Sequence, residues 1–220
     1  KRVLVLEAVN YPGGCAGRFT RHGAEWDAGA TLFSGFAPGD LFETWNNTYQ
    51  LGLNWTLMDP VATVHSPARR LIIPRSRSEF VQTLTALPNA PVDGITRFFD
   101  EQQRIAEPLW QLLKRPDLLP PLDSAALVHH LRRSPNYFPA IRWFGRPLTS
   151  VLSHFGVAEF KPLRTWVDAA CQVTVQAPAC EADAIFSLSA IDYYFRGIAH
   201  IEGGGGALAA STSSISHCNS

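Results

Sequence analysis

Three groups of residues have types and spacing that suit ligand chemistry. Glu7 closes the apolar run Val3-Leu4-Val5-Leu6, and a carboxylate beyond the carboxyl end of a buried strand sits where open α/β sheets bind ligands. It offers two acceptor oxygens and no competing donor, which suits a ribose diol. The plain alternative is a solvated acid at a strand end. Gly13 and Gly14 follow Pro12 in a turn, with the basic residue Arg18 shortly after, and Asp27-Ala28-Gly29-Ala30-Thr31 forms a second small-residue segment. Small side chains in both places let backbone amides approach a flat or phosphorylated ligand that a Cβ would hold off. Other chemistries are poorly served. His129 and His130 are adjacent, so on a helix they point about 100° apart and cannot share one metal; the pair reads as a solvated face. No G-x-S-x-G elbow is present, and Cys15 reads as a small buried residue rather than a redox thiol. No metal site is expected.

The elements that must hold these groups follow from hydrophobic periodicity. The run Arg2 to Glu7 reads as a strand buried on both faces of a parallel sheet. Val61 to His65 and Arg70 to Ile73, separated by Ser66-Pro67, read as a hairpin. Apolar residues at helical spacing then predict helices over Ser78 to Leu87, Asp93 to Leu113, Ser124 to Arg133, Pro147 to Phe155, Lys161 to Gln176 and Glu181 to Phe195. Pro108 should kink or divide the second of these. The Gly203-Gly204-Gly205-Gly206 run and the small, hydroxylated residues after it predict a flexible tail. The expected division is therefore 1–45, the segment carrying the small-residue turns; 46–200, a hairpin followed by helices; and 201–220, the tail.

The chain has 220 residues, of which 46% are hydrophobic and 17% charged, enough to bury a core in one large domain or two small ones. Its 19 basic residues balance 19 acidic ones, leaving no global field for nucleic acid. Four cysteines without metal-ligand spacing fit a reducing compartment. No run approaches the ~20 apolar residues of a membrane span, and no signal-peptide pattern opens the chain. A strand beginning at once at Val3 reads as an interior segment of a longer sequence.

The ordered set Val3 to Glu7, Gly13-Gly14 with Arg18, and Asp27-x-Gly29-Ala30-Thr31 resembles the flavin-dependent amine oxidoreductase superfamily, within it the phytoene desaturase and carotenoid isomerase branch. Met58-Asp59-Pro60-Val61, Asp168 to Ala177, Tyr193 to His200 and Gly203-Gly204 with Ala207-Leu208-Ala209 extend the likeness over most of the chain; the last resembles a turn that begins a helix in the flavin domain. The resemblance implies an α/β fold, α+β over this segment, with an incomplete FAD-binding Rossmann-like domain and a largely helical substrate domain. It implies that Glu7 holds the ribose, that Gly13, Gly14 and Arg18 lie along the pyrophosphate, and that Asp27, Gly29, Ala30 and Thr31 line the flavin. The family's G-x-G-x-x-G turn is absent.

The function so implied is an FAD-dependent oxidoreductase that desaturates or isomerises a carotenoid or similar lipophilic polyene. Its expected place is the cytoplasm or the periphery of a plastid or thylakoid-type membrane, without a transmembrane segment or secretion. Phe98, Phe99, Trp110, Phe138, Trp143, Phe144, Trp166 and Phe195 are candidates either for a greasy tunnel or for ordinary core, and exposed ones for peripheral membrane contact. Two alternatives stand beside this one: a flavin amine oxidase-like enzyme with a small substrate, and a non-catalytic lipid-binding or vestigial fragment.

Overall fold

The computed structural model describes residues 6, 8–9, 11, 13–29, 32–67, 69–118 and 120–214. In chain order the elements are β1 (Arg18–Arg21), β2 (Ala24–Asp27), α1 (Leu41–Tyr49), β3 (Trp55–Leu57), β4 (Ala62–Ser66), β5 (Arg69–Ile73), α2 (Arg77–Thr85), α3 (Val92–Leu113), α4 (Ser124–Arg133), α5 (Phe138–Ile141), α6 (Leu148–His154), α7 (Lys161–Thr174), α8 (Ala184–Asp192), β6 (Ala199–Ile201) and α9 (Gly204–Ser214). The fold mixes helices with short strands, an α+β arrangement. Among the described residues every strand ladder is two-stranded and antiparallel: β1 with β2, β3 with β6, and β4 with β5. Val3 to Val5 and Glu7 of the expected first strand lie outside the described residues. Leu6, which that strand would bury, is 85% exposed.

The chain divides into two compact units, Lys1–Met58 with Arg196–Ser220, and Asp59–Phe195. This differs from the boundaries expected near residues 45 and 200, because β3 pairs Trp55 with Ile201 and Leu57 with Ala199. Those pairs tie residues 46–58 and 196–201 into the first unit. Its core is Phe36, Leu53, Ala199, Ile201 and Leu208, with Phe42 and Trp55 packed against it. Phe36 stacks on Phe42 at a centroid distance of 5.0 Å. Leu208 belongs to α9, so the tail expected to be flexible is a helix over Gly204–Ser214 and supplies part of a core.

In the second unit the local signals act as elementary chemistry dictates. Ser76 and Glu79 have capping-box spacing, and the Ser76 hydroxyl accepts from the Glu79 amide at 3.3 Å. Asp123 caps α4 by accepting from Ala126 N–H at 2.7 Å, and Asp183 caps α8 by accepting from Ile185 and Phe186. Helix α3 runs undivided from Val92 to Leu113 with Pro108 inside it. Proline there removes only the donor to the Arg104 carbonyl, and the buried stripe of Ile95, Phe98, Phe99, Ile105 and Ala106 carries the helix past it. The expected hairpin forms from β4 and β5, with Val64 opposite Leu71.

Candidate functional site

The first unit's site begins with a turn. Gly13 has φ 102°, a backbone state that costs glycine little and a Cβ-bearing residue more. It opens a single 3-10 turn in which Gly13 and Gly14 carbonyls accept from Ala16 and Gly17 amides at 2.8 and 3.0 Å. The chain then forms the β1/β2 hairpin, whose strands are joined by a two-residue loop, His22-Gly23, with φ values of 53° and 76°. Two positive φ angles in succession match the right-handed twist of flanking strands. The register sets Arg18 opposite Asp27 and Phe19 opposite Trp26. Sequence reasoning missed this hairpin. Its signal is a short alternation around a His-Gly pair, weaker than Asn-Gly or Asp-Gly.

Helix α9 begins against that hairpin. The Gly205 amide donates to Asp27 Oδ1 at 3.0 Å across 178 residues of sequence, and Arg18 Nη1 donates to the Gly203 carbonyl at 3.4 Å. Asp27 thereby answers one of the orphan amides of a helix start and places a carboxylate at its positive end. Three of the four glycines are a steric requirement. A Cβ on Gly205 would lie 2.7 Å from both the Ala16 carbonyl oxygen and Phe33 Cζ, one on Gly206 would lie 2.8 Å from Arg18 Cγ, and one on Gly204 would strike Asp27. On the other side of the contact, a Cβ on Gly13 would meet Ala209 at 2.6 Å. Gly29 packs over the Cys15 carbonyl, and Ala28 N–H donates to Gly17 at 2.8 Å.

Gly13, Gly14, Arg18, Asp27 and Gly29 thus come together in one place, with Gly203 to Gly206 as a fourth segment. Glu7, Ala30 and Thr31 lie outside the described residues. Arg18 keeps part of its surface open while pairing Glu25 at 2.7 Å, a half-exposed pair of small energetic weight. Cys15 is exposed rather than buried. The arrangement offers a partly open guanidinium and exposed glycine backbone, which suit a ligand carrying phosphate, while the start of α9 is already filled by the Asp27 carboxylate.

In the second unit the aromatic candidates separate. Phe98, Phe99, Trp143 and Trp166 are buried core; Phe138 and Phe144 are exposed. Phe195 lies at a cavity of about 570 Å³ bordered by Arg75, Arg77, Phe99, Asp100 and Gln103. Sequence reasoning also missed two buried acids. Glu101, 3% exposed, accepts from Trp143 Nε1 at 2.7 Å, from Arg142 Nη2 at 2.6 Å and from Arg104. Burial alone would raise its carboxyl, but the hydrogen bonds from Trp143, Arg104 and Arg142 outweigh it and hold the group below the usual carboxylate range. Asp192, fully buried, pairs with Arg77 and accepts from Gln102 Nε2 at 2.9 Å. The available signal was position: Glu101 falls three and four residues from Phe98 and Ile105, on the apolar stripe of α3. The His129-His130 pair is not simply solvated, since His130 bridges the Leu118 carbonyl at 2.8 Å and the Tyr137 hydroxyl at 3.1 Å. Burial pushes the Cys171 thiol up to about 11, which removes it as a nucleophile near neutral pH.

No protein-family model matches this chain, and no curated protein matches it.

Proposed function

We propose that the first unit forms part of the FAD site of an oxidoreductase acting on a carotenoid or similar polyene, in a Rossmann-like setting, with the helical second unit serving the substrate. The observation that carries this reading is the Asp27–Gly205 hydrogen bond. It brings the Gly13 to Gly29 segment and the Gly203 to Gly206 run to one place, as a shared cofactor would require of two segments so far apart in sequence.

The residues fit such a group. The Gly13 and Gly14 backbone would sit along the pyrophosphate and the Arg18 guanidinium would offset its charge, while Asp27 fixes the start of α9 and Gly29 leaves room for close approach. When bound, FAD supplies a two-electron acceptor for hydride. Titration of the chain with FAD is expected to raise its Tm with ligand concentration and to quench flavin fluorescence. Arg18→Glu should weaken FAD at least tenfold and riboflavin, which has no pyrophosphate, much less. Lack of any FAD-dependent shift at saturating flavin overturns the reading.

A second reading, a small polar substrate in place of a polyene, is favoured by Arg75, Gln82, Asp100 and Gln103 around the 570 Å³ cavity. Turnover of an amine without turnover of a carotenoid would select it.

A further inference from the structure

Helix α4 is built inside out. Ala126 and His130 face the protein, the first buried and the second hydrogen-bonded to Leu118 and Tyr137. Leu127, Val128 and Leu131 are turned to solvent, at 52%, 47% and 65% exposure. A surface helix ordinarily buries such a stripe. Exposed apolar residues continue along the chain: Phe138 at 60%, Ile141 at 62% and Phe144 at 80%.

Charge in the same stretch has one sign. No acidic residue occurs between Asp123 and Glu159, while Arg132, Arg133, Arg142 and Arg146 all fall there, in a chain whose charges balance. Arg142 is committed to Glu101. Arg132, Arg133 and Arg146 are exposed and have no ion-pair partner among the described residues. Arg133 also borders a cavity of about 350 Å³ together with Lys114, Arg115 and His129, with Glu107 the acid on its wall. The His129 Nε2 atom is buried beside this cavity without a hydrogen-bond partner.

We propose that the segment from Ser124 to Arg146 docks on an anionic phospholipid surface, its exposed leucines and phenylalanines entering the headgroup–acyl boundary. Arg132, Arg133 and Arg146 meet the lipid phosphates. A bilayer presents an apolar interior and a negative surface together, the pair of properties this segment matches, and basic residues flanking apolar ones are the composition of an interfacial helix. The inference stands whether or not the first unit binds FAD.

Vesicle flotation of the full chain tests it. Binding to phosphatidylcholine vesicles containing phosphatidylglycerol is expected to be at least tenfold tighter than to phosphatidylcholine alone, and to weaken as salt is raised. Arg132→Gln with Arg133→Gln should lower binding roughly tenfold, and Leu131→Asp with Phe144→Asp should abolish it. These side chains are exposed, so circular dichroism should stay unchanged. Phe144→Trp gives a second readout: the emission it adds to that of the unaltered chain should shift to the blue when anionic vesicles are added. Equal binding to both vesicle types, or no such shift in the Phe144→Trp variant, overturns the proposal. So does a dimer in sedimentation that Leu131→Asp dissolves while vesicles go unbound, since a second copy would then be the occupant.

Discussion

In the first unit a helix meets a hairpin through Gly204, Gly205 and Gly206 and one carboxylate, Asp27. In the second, α2, α3 and α7 meet through rings: Phe80 lies 4.8 Å from Trp166 and 5.9 Å from Phe99, centroid to centroid. The first kind of contact works by close backbone approach, so it tolerates no added atom. The second works by bulk, so it tolerates no lost one. The second unit, which has surface ion pairs such as Arg115–Asp117 as well, also buries acids. Arg18 and Glu25 pair at the surface, whereas Asp192 and Glu101 are taken out of water and held by Arg77, Gln102, Trp143, Arg104 and Arg142. Glycine in a helix signals a site where something must come near; a buried acid among aromatics signals one where everything must be matched.

The contrast is most vulnerable at Trp166. Trp166→Ala should cost about 3–5 kcal/mol in denaturant unfolding of the second unit, because the cavity left among Phe80, Phe99 and Phe195 cannot close. Asp192→Ala should cost about 3 kcal/mol, since it leaves Arg77 without its carboxylate and Gln102 Nε2 with only the Leu188 carbonyl; Asp192→Asn, which keeps one acceptor oxygen, should recover part of it. A loss of only a few tenths would show that water already reaches the pair.

Gly205→Ala tests the other half of the contrast through its sign. In an exposed helix this change stabilises by about 1 kcal/mol, and in a flexible tail it is neutral. Against Ala16 and Phe33 it should destabilise the first unit by about 1–3 kcal/mol, with chemical shifts in the β1/β2 hairpin moving in the same variant. Arg18→Ala, by contrast, should change stability by less than about 1 kcal/mol.

The acid limb of the stability profile reports Glu101. Its carboxyl in the folded chain lies below the usual value of 4.5, so between the two values the unfolded chain binds more protons and stability falls as pH drops. The contribution is complete above the unfolded value and lost as pH falls through the folded one. Glu101→Gln should flatten that limb while keeping one acceptor for Trp143. The smallest effect is at the thiols: at pH 8, with Cys171 held at about 11 and buried, iodoacetamide should label exposed Cys15 and Cys180 and leave Cys171 until the chain unfolds.

Much of the second unit was legible in the sequence. Helices expected at Ser78, Asp93, Ser124, Pro147 and Lys161 begin within a residue of where α2, α3, α4, α6 and α7 begin, and the Ser66-Pro67 hairpin forms. Each of these is specified by neighbours within about eight residues, through an apolar stripe or a cap. The expected helix from Glu181 is shorter, Ala184–Asp192, with Asp183 as its cap and a 3-10 turn after it. Of the candidate site, Gly13, Gly14, Arg18, Asp27 and Gly29 were named from sequence and set around one ligand by the resemblance alone; the hydrogen bond and close approaches that join them to Gly203 to Gly206 were not.

The order of residues alone was enough to say where the amphipathic helices run and which small and charged residues are close neighbours along the chain. It took the folded chain to decide between a flexible tail and a helix start at Gly203 to Gly206, two readings that the sequence left side by side, and to show that Trp55 pairs with Ile201 and that Glu101 and Asp192 are buried acids. The reason is range. Periodicity and capping are settled within a turn or two of the chain. The absence of a Cβ, a strand's missing partner and a carboxylate's lost water acquire meaning only when a distant segment arrives to occupy the space.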